Sequence, residues 1–129
     1  MVRSIAPLFA FAFLASAPAL AESIPVPPFR SVELEAGGDV TIVPGPVQRV
    51  TLVEGNREFT SFDMRRDGQL LIRTSCSTRC PHNYPLRIQI ESPYVPDVAV
   101  NAGGRIVAAP GFAAQRQVSA AVNAGGDIH

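Results

Sequence analysis

The chain has 129 residues and a formal charge of zero, and its eleven basic residues are all Arg. Such a balance excludes the basic footprint of a nucleic-acid binder and any long like-charge tail. Trp is absent and only two Tyr occur, which argues against a carbohydrate platform built on exposed aromatic rings.

Residues 1–21 read as a secretory signal peptide. Arg3 gives the positive start, Ile5–Leu14 the apolar core, and Ala19-Leu20-Ala21 the small residues a signal peptidase recognises. The apolar run falls short of the ~20 residues that span a bilayer, and Pro7 and Pro18 interrupt it. A retained membrane anchor is the competing reading. No lipobox cysteine follows Leu20. Cleavage after Ala21 would release the chain to the periplasm or the cell surface, without a stable membrane span.

Residues 22–28, with Pro25, Pro27 and Pro28, are expected to be a linker, because proline bars helix and central strand alike. From Phe29 onward short alternating runs predict strands. Val32-Glu33-Leu34-Glu35 is the first and Val40-Thr41-Ile42-Val43 the second, stopped by Pro44-Gly45-Pro46. Val50-Thr51-Leu52-Val53 follows, closed by Glu54-Gly55-Asn56. Phe62–Arg65 and Leu70–Arg73 flank Asp67-Gly68, a hairpin signal. Leu86–Glu91 is the cleanest alternation in the chain. Beyond it Pro93, Pro96, Pro110 and the glycines leave no room for a long helix, and Gly111–Arg116 allows one helical turn at most or a wide corner. Short strands with such frequent punctuation predict an all-β domain.

Cys76 and Cys80 are the only cysteines, and in an exported chain a lone close pair is expected to form a disulfide. So small a loop gains only about 2 kcal/mol from chain entropy. The competing readings are a redox or metal site that adds His82, and free thiols. The Cys76-x3-Cys80-x-His82 spacing matches no common zinc or haem-attachment pattern, so no metal or other cofactor is expected.

One phrase occurs three times: a hydrophobic residue, any residue, Ala-Gly-Gly, any residue, then Val or Ile. It spans Leu34–Val40, Val100–Ile106 and Val122–Ile128, with glycine pairs Gly37-Gly38, Gly103-Gly104 and Gly125-Gly126. The last two copies share Ala-Val-Asn-Ala-Gly-Gly, 22 residues apart. That period predicts a β-solenoid, right-handed and β-helix-like, with Val100 stacked on Val122, Asn101 on Asn123 and Ile106 on Ile128. The first copy starts 66 residues before the second, three times 22, and is expected to mark a corner in a less regular N-terminal β portion, since no convincing copy fills the two intervening registers. A β-sandwich is the alternative for the same strand list.

These residues also carry a resemblance. Phe29–Leu34 leading to Gly38–Ile42, then Asp67–Ile72, then Ile88–Pro93 followed by Val98–Gly104, are similar to the auto-transporter adhesin head (GIN) domain family of exported bacterial proteins. The resemblance covers the chain from about Phe29 to the end. It implies an exported all-β domain with a solenoid portion and no defined catalytic residues. Members usually continue through further glycine-punctuated coils, so it also implies that the domain over 29–129 is C-terminally incomplete, with an open edge at Asp127. The loop over Ser75–Pro85 departs from the family pattern.

Catalysis needs converging acids, bases or metal ligands. Asp39, Asp97 and Asp127 are the candidates, with Arg105 nearby, but Asp39 and Asp127 fill the slot after Gly-Gly where turn chemistry favours Asp. Calcium is not expected, because the second half of the glycine-rich nonapeptide is missing. Asn101 and Asn123 are expected to stack as an amide ladder. The sequence thus predicts a non-catalytic binding module for a protein or glycan at the cell envelope. The alternatives are a polysaccharide-acting β-helix enzyme and a structural envelope protein that self-associates through open edges.

Overall fold

In a computed structural model, residues 21–74, 85–101, 103–123 and 125–129 are described. Among the described residues eleven strands form, most of them where apolar and polar residues alternate: β1 Glu22–Ile24, β2 Ser31–Glu35, β3 Asp39–Pro44, β4 Arg49–Glu54, β5 Thr60–Met64, β6 Gln69–Thr74, β7 Arg87–Ser92, β8 Asp97–Asn101, β9 Arg105–Ala108, β10 Ala120–Val122 and β11 Asp127–Ile128. A 3₁₀ turn, Arg57–Phe59, capped by the Asn56 side chain, precedes β5. The sequence pattern did not announce that turn. The rest of the described chain is strand, corner or loop, and the fold is all-β.

Two mixed sheets form. One runs β1-β4-β7-β3-β9-β11 and the other β10-β8-β2-β6-β5. The chain crosses between them four times in the same sense of order, from β2 to β3, β6 to β7, β8 to β9 and β10 to β11, so each pair is one coil. Neighbouring coils lie parallel in both sheets. Strands β1, β4 and β5 pair antiparallel and close one end. The 22–24 segment, expected to open a linker, is therefore the strand that ends one sheet, and Ile24 sits in the core.

The core is the space between the sheets. Val32, Leu34, Leu70, Ile72 and Val100 of one sheet face Val40, Ile42, Ile88, Ile90 and Ile106 of the other, all essentially inaccessible to solvent. Period-two alternation puts those residues on the inner faces and leaves Glu33, Glu35, Thr41 and Val43 outside. At about 25 cal/mol per Å² of apolar surface, each such fully buried side chain contributes roughly 1.5–3 kcal/mol before entropy is counted.

The first copy of the glycine phrase needs a correction. It does not mark an irregular corner. Leu34 pairs with Val100 and Val40 with Ile106, while Val122 pairs with Val100 and Ile128 with Ile106. The three copies are thus three successive coils in one register. The stretch between the first two copies builds β4 to β7 on the opposite side of the first copy, so a long gap in sequence is a single step in space.

Candidate functional site

The corners explain the glycines. Backbone N–H groups of Asp39, Arg105 and Asp127 donate to the carbonyls of Leu86, Gly38 and Gly104 at 2.9, 2.9 and 3.0 Å, one rung per coil. At Gly104 a side chain has no room: a Cβ would lie 2.3 Å from the Ala36 carbonyl oxygen and 2.6 Å from Leu34 Cδ2. Gly126 sits the same way on Val100, and Gly38 on Leu86. The first glycine of the later pairs has another task, since Gly103 and Gly125 adopt φ of +81° and +86°, a region L side chains rarely enter. The first member turns the corner, and the second lets coils touch.

Around these corners the phrase displays its variable slots. The Asn123 amide donates to Asn101 Oδ1 at 2.9 Å, and the Asn101 amide donates to Glu33 Oε2 at 2.6 Å. The ladder therefore ends on a carboxylate. Glu35, although level with Asn101 in the sheet, is not its hydrogen-bond partner. Partial burial, together with Glu35 alongside, pushes the Glu33 carboxyl above its ordinary value, against the opposing pull of Arg65 and Asn101.

The three aspartates proposed from sequence do not converge. Asp39 and Asp127 lie in one sheet, level with Arg105 and separated by its strand. Asp97 opens β8 in the other sheet, where its Oδ1 accepts the Ser119 N–H at 2.9 Å. Among the described residues no group of three or more His, Cys, Asp or Glu could hold a metal. Cys76, Cys80 and His82 lie outside the described residues. The motive for a polysaccharide-acting site, a shared groove of acids, is gone from these three positions.

Three surface features remain. The first is on the outer face of the β10-β8-β2-β6-β5 sheet. There Gln69, Ser31 and Asp97 stand level across three parallel strands, with Ser119 just before β10. Together with Ala99 and Ala121 they line a shallow hollow of about 140 Å³. The small alanines open the shared Ala-Val-Asn-Ala-Gly-Gly string, one residue before the phrase, and their size helps leave the face concave.

The second feature is a hollow of about 400 Å³ among Val26, Pro28, Val47, Gln48, Pro93 and Tyr94. Its polar groups serve each other. Gln48 accepts the Phe29 N–H at 2.9 Å and donates to the Phe29 carbonyl at 2.8 Å, which also accepts the Tyr94 hydroxyl at 2.8 Å. The pair stitches the chain entering β2 to the loops after β3 and β7. Sequence reading missed it because the partners stand 19 and 65 residues apart.

The third is the end formed by β10 and β11. Val118 and Val122 are 42% and 45% exposed, and with Ala120, Ile128 and Ile106 Val118 borders an apolar hollow of about 160 Å³ between the sheets. The unusual feature is an exposed valine on β10, an outermost strand of its sheet among the described residues, with a second just before it.

No family model and no curated protein matches the chain. Among solved structures it is similar to a "putative adhesin" from Bacteroides fragilis, with a TM-score of 0.65 at 12% identity over 84% of this chain and 52% of that one. A "putative adhesin" from Parabacteroides merdae gives 0.51 at 8% identity over 84% and 54%. A "putative lipid binding protein" from Parabacteroides distasonis gives 0.50 at 13% identity over 70% and 40%. The chain spans about half the length of the first two. Among the described residues no helix is long and apolar enough to cross a membrane. What these likenesses establish is the architecture, two mixed sheets wound from strand, corner and strand, in an all-β domain.

Proposed function

We propose that this chain is an exported, non-catalytic binding module of the adhesin-head kind, which holds a protein or glycan at the cell envelope. The observation that carries the reading is the outer face of the β10-β8-β2-β6-β5 sheet. In-register stacking there aligns Gln69, Ser31 and Asp97 over a floor of Ala99 and Ala121, giving amide, hydroxyl and carboxylate groups above a shallow trough. A rigid sheet that repeats donors and acceptors across neighbouring strands suits an extended ligand lying across those strands. The comparisons support the reading through architecture, and export is supported by the signal sequence.

The test is direct binding of the purified protein to defined surfaces: peptidoglycan, immobilised matrix proteins and phospholipid vesicles. Ala99→Trp serves as the blocking variant, because its ring would fill the trough from outside the core. Saturable binding to one surface, reduced at least tenfold by Ala99→Trp while the circular dichroism spectrum is kept, is the expected result. Binding that Ala99→Trp leaves untouched overturns the assignment of the face, and release of soluble sugar from peptidoglycan overturns the absence of catalysis.

A further inference from the structure

Building on the trough as the binding face, we propose that Arg30, Arg65 and Arg66 form an anion subsite at one end of it. The subsite takes a carboxylate or phosphate of an acidic glycan and fixes which way round that glycan lies.

The three arginines meet at the turn between β5 and β6. The Gly68 N–H donates to the Arg65 carbonyl at 3.1 Å, and the Arg65 N–H to the Gln69 carbonyl at 2.9 Å. Arg30, just before β2, lies against this turn. Its backbone N–H donates to the Gly68 carbonyl at 2.8 Å, and its guanidinium Nη2 to the Asp67 carbonyl at 3.2 Å. All three arginines are exposed. Among the described residues the ion pairs use Arg49, Arg57, Arg73 and Arg87, and none uses these three. Asp67 is the only acid in the turn, and the contact Arg30 makes is with its carbonyl. Guanidinium forks with donors to spare suit carboxylate and phosphate oxygens, which they can hold in pairs.

Side-chain parity puts the charge on the face of the trough. Phe62 and Met64 are level with Ile72 and Leu70, which point into the core. Continuing the alternation, Arg65 and Gln69 point outward, in one row with Ser31 and Asp97. The pull of Arg65 on the Glu33 carboxyl, in the next outward row, agrees with that direction. At about 4.8 Å per strand, guanidinium, amide, hydroxyl and carboxylate span roughly 14 Å. Of the other charged groups on this face, Asp63 is paired with Arg73, while Glu33 and Glu35 lie further along β2. The row is therefore positive at the β5–β6 turn and negative at Asp97. A ligand with an acid at one end is drawn to the first and repelled by the second.

The neutral part of the row selects a glycan. Sugar hydroxyls both donate and accept, which matches Gln69, Ser31 and Asp97. An extended peptide would need a bare edge, but β6, β2 and β8 are each paired on both sides. A membrane would need apolar anchors, and none of the large exposed apolar residues, Val47, Tyr94, Val118 and Val122, belongs to this turn.

Calorimetric titration of the purified protein with three versions of one trisaccharide tests the proposal. One version is neutral, one has its terminal sugar oxidised to a uronic acid, and one carries a phosphate on that sugar. A charged version should bind at least tenfold more tightly than the neutral one, and this advantage should shrink as salt rises. Arg66→Glu and Arg65→Gln should each remove most of the advantage with the circular dichroism spectrum kept, whereas Ala99→Trp should weaken every version. Equal binding of charged and neutral versions, or an advantage that survives both arginine variants, overturns the subsite. It leaves the trough standing wherever Ala99→Trp still blocks. An advantage lost in the arginine variants beside binding that Ala99→Trp leaves untouched overturns the trough as well. Silence from all three versions, or tighter binding to phosphatidylglycerol vesicles than to any of them, overturns the glycan as the ligand.

Discussion

The two ends of this domain are built by opposite rules. At the end of β1, β4 and β5 the chain abandons the parallel coil for antiparallel pairing, adds the 3₁₀ turn, and sets Arg57 between Glu22 and the Phe62 ring, whose centroid is 5.8 Å from the guanidinium carbon. The last described coil, β10 and β11, has short strands and exposed valines instead. Among the described residues ion pairs sit on the edge strands of the first end and on neither β10 nor β11. A solenoid gains stability from each coil's contact with its neighbours, so the last coil, touched on one side, must be the weakest unless something covers it.

That difference is largest in the apolar stack. Ile106 is 1% exposed between β3 and β11, whereas Ile128 is only partly buried beside it. Ile106→Ala should destabilise the fold by about 2–5 kcal/mol, the usual range for a buried isoleucine. Ile128→Ala should cost less than about 1 kcal/mol. Urea unfolding of both variants makes the comparison, and equal losses would mean that the last coil is as firmly held as the one beneath it.

The glycines give the next largest contrast. A methyl group at Gly104, in the corner of a coil with neighbours on both sides, meets the Ala36 carbonyl and Leu34, and neither can move without disturbing the core. Gly104→Ala should therefore cost roughly 1–3 kcal/mol, the scale of overpacking. At Gly126 the same methyl group would press on Val100 Cγ1, but the coil that carries it is free to lift away. Gly126→Ala should leave the urea midpoint almost unchanged and instead speed amide exchange of Asp127 and His129, whose N–H groups donate to Gly104 and Ile106.

At the end of β1, β4 and β5 the effect is smaller. Arg57 and Glu22 are both about half exposed at 3.4 Å, which limits their ion pair to about 0–1 kcal/mol, and the ring contact adds a similar amount. Arg57→Ala should lower stability by about 1 kcal/mol or less. Its clearer signature should be faster exchange of the β1 amides, and unchanged exchange there would show that Arg57 is not what holds β1 to β4.

Much of this architecture is legible in the residues. The strands follow from alternation, as at Leu86–Glu91, and the Asp67-Gly68 hairpin from its turn chemistry, with Gly68 at φ +83°. The stacking of Val100 on Val122 and Ile106 on Ile128 follows from the 22-residue repeat. What period alone cannot convey is that strands inserted in sequence need not be inserted in space. The antiparallel excursion through β4 and β5 returns by β6 and β7 to the far side of β2 and β3, leaving the near side free for β8 and β9. Leu34 and Val100 become neighbours across 66 residues by that route. Of the surface features, the Asn101–Asn123 ladder is visible in the repeat, but the foot of the ladder at Glu33 is not, because register alone would pair Asn101 with Glu35.

That foot supplies the smallest predicted effect. The folded chain holds the Glu33 proton to higher pH than an exposed glutamate does, because burial disfavours the charge and Glu35 opposes it, with Arg65 and Asn101 pulling the other way. Linkage fixes the sign. Between the ordinary glutamate value of about 4.3 and the raised folded value, the unfolded chain has released this proton while the folded chain still binds it. This group's contribution to stability is full below that window, falls as pH rises through it, and is level above. Glu33→Gln removes the ionisation and keeps an acceptor for Asn101. The difference between the melting curves of Glu33→Gln and the parent, taken from about pH 3 to 7, should grow in favour of the variant through the window and then stay constant. A difference that is flat throughout, or that runs the other way, would show that the Asn101 and Arg65 contacts outweigh the burial of Glu33 and its repulsion from Glu35.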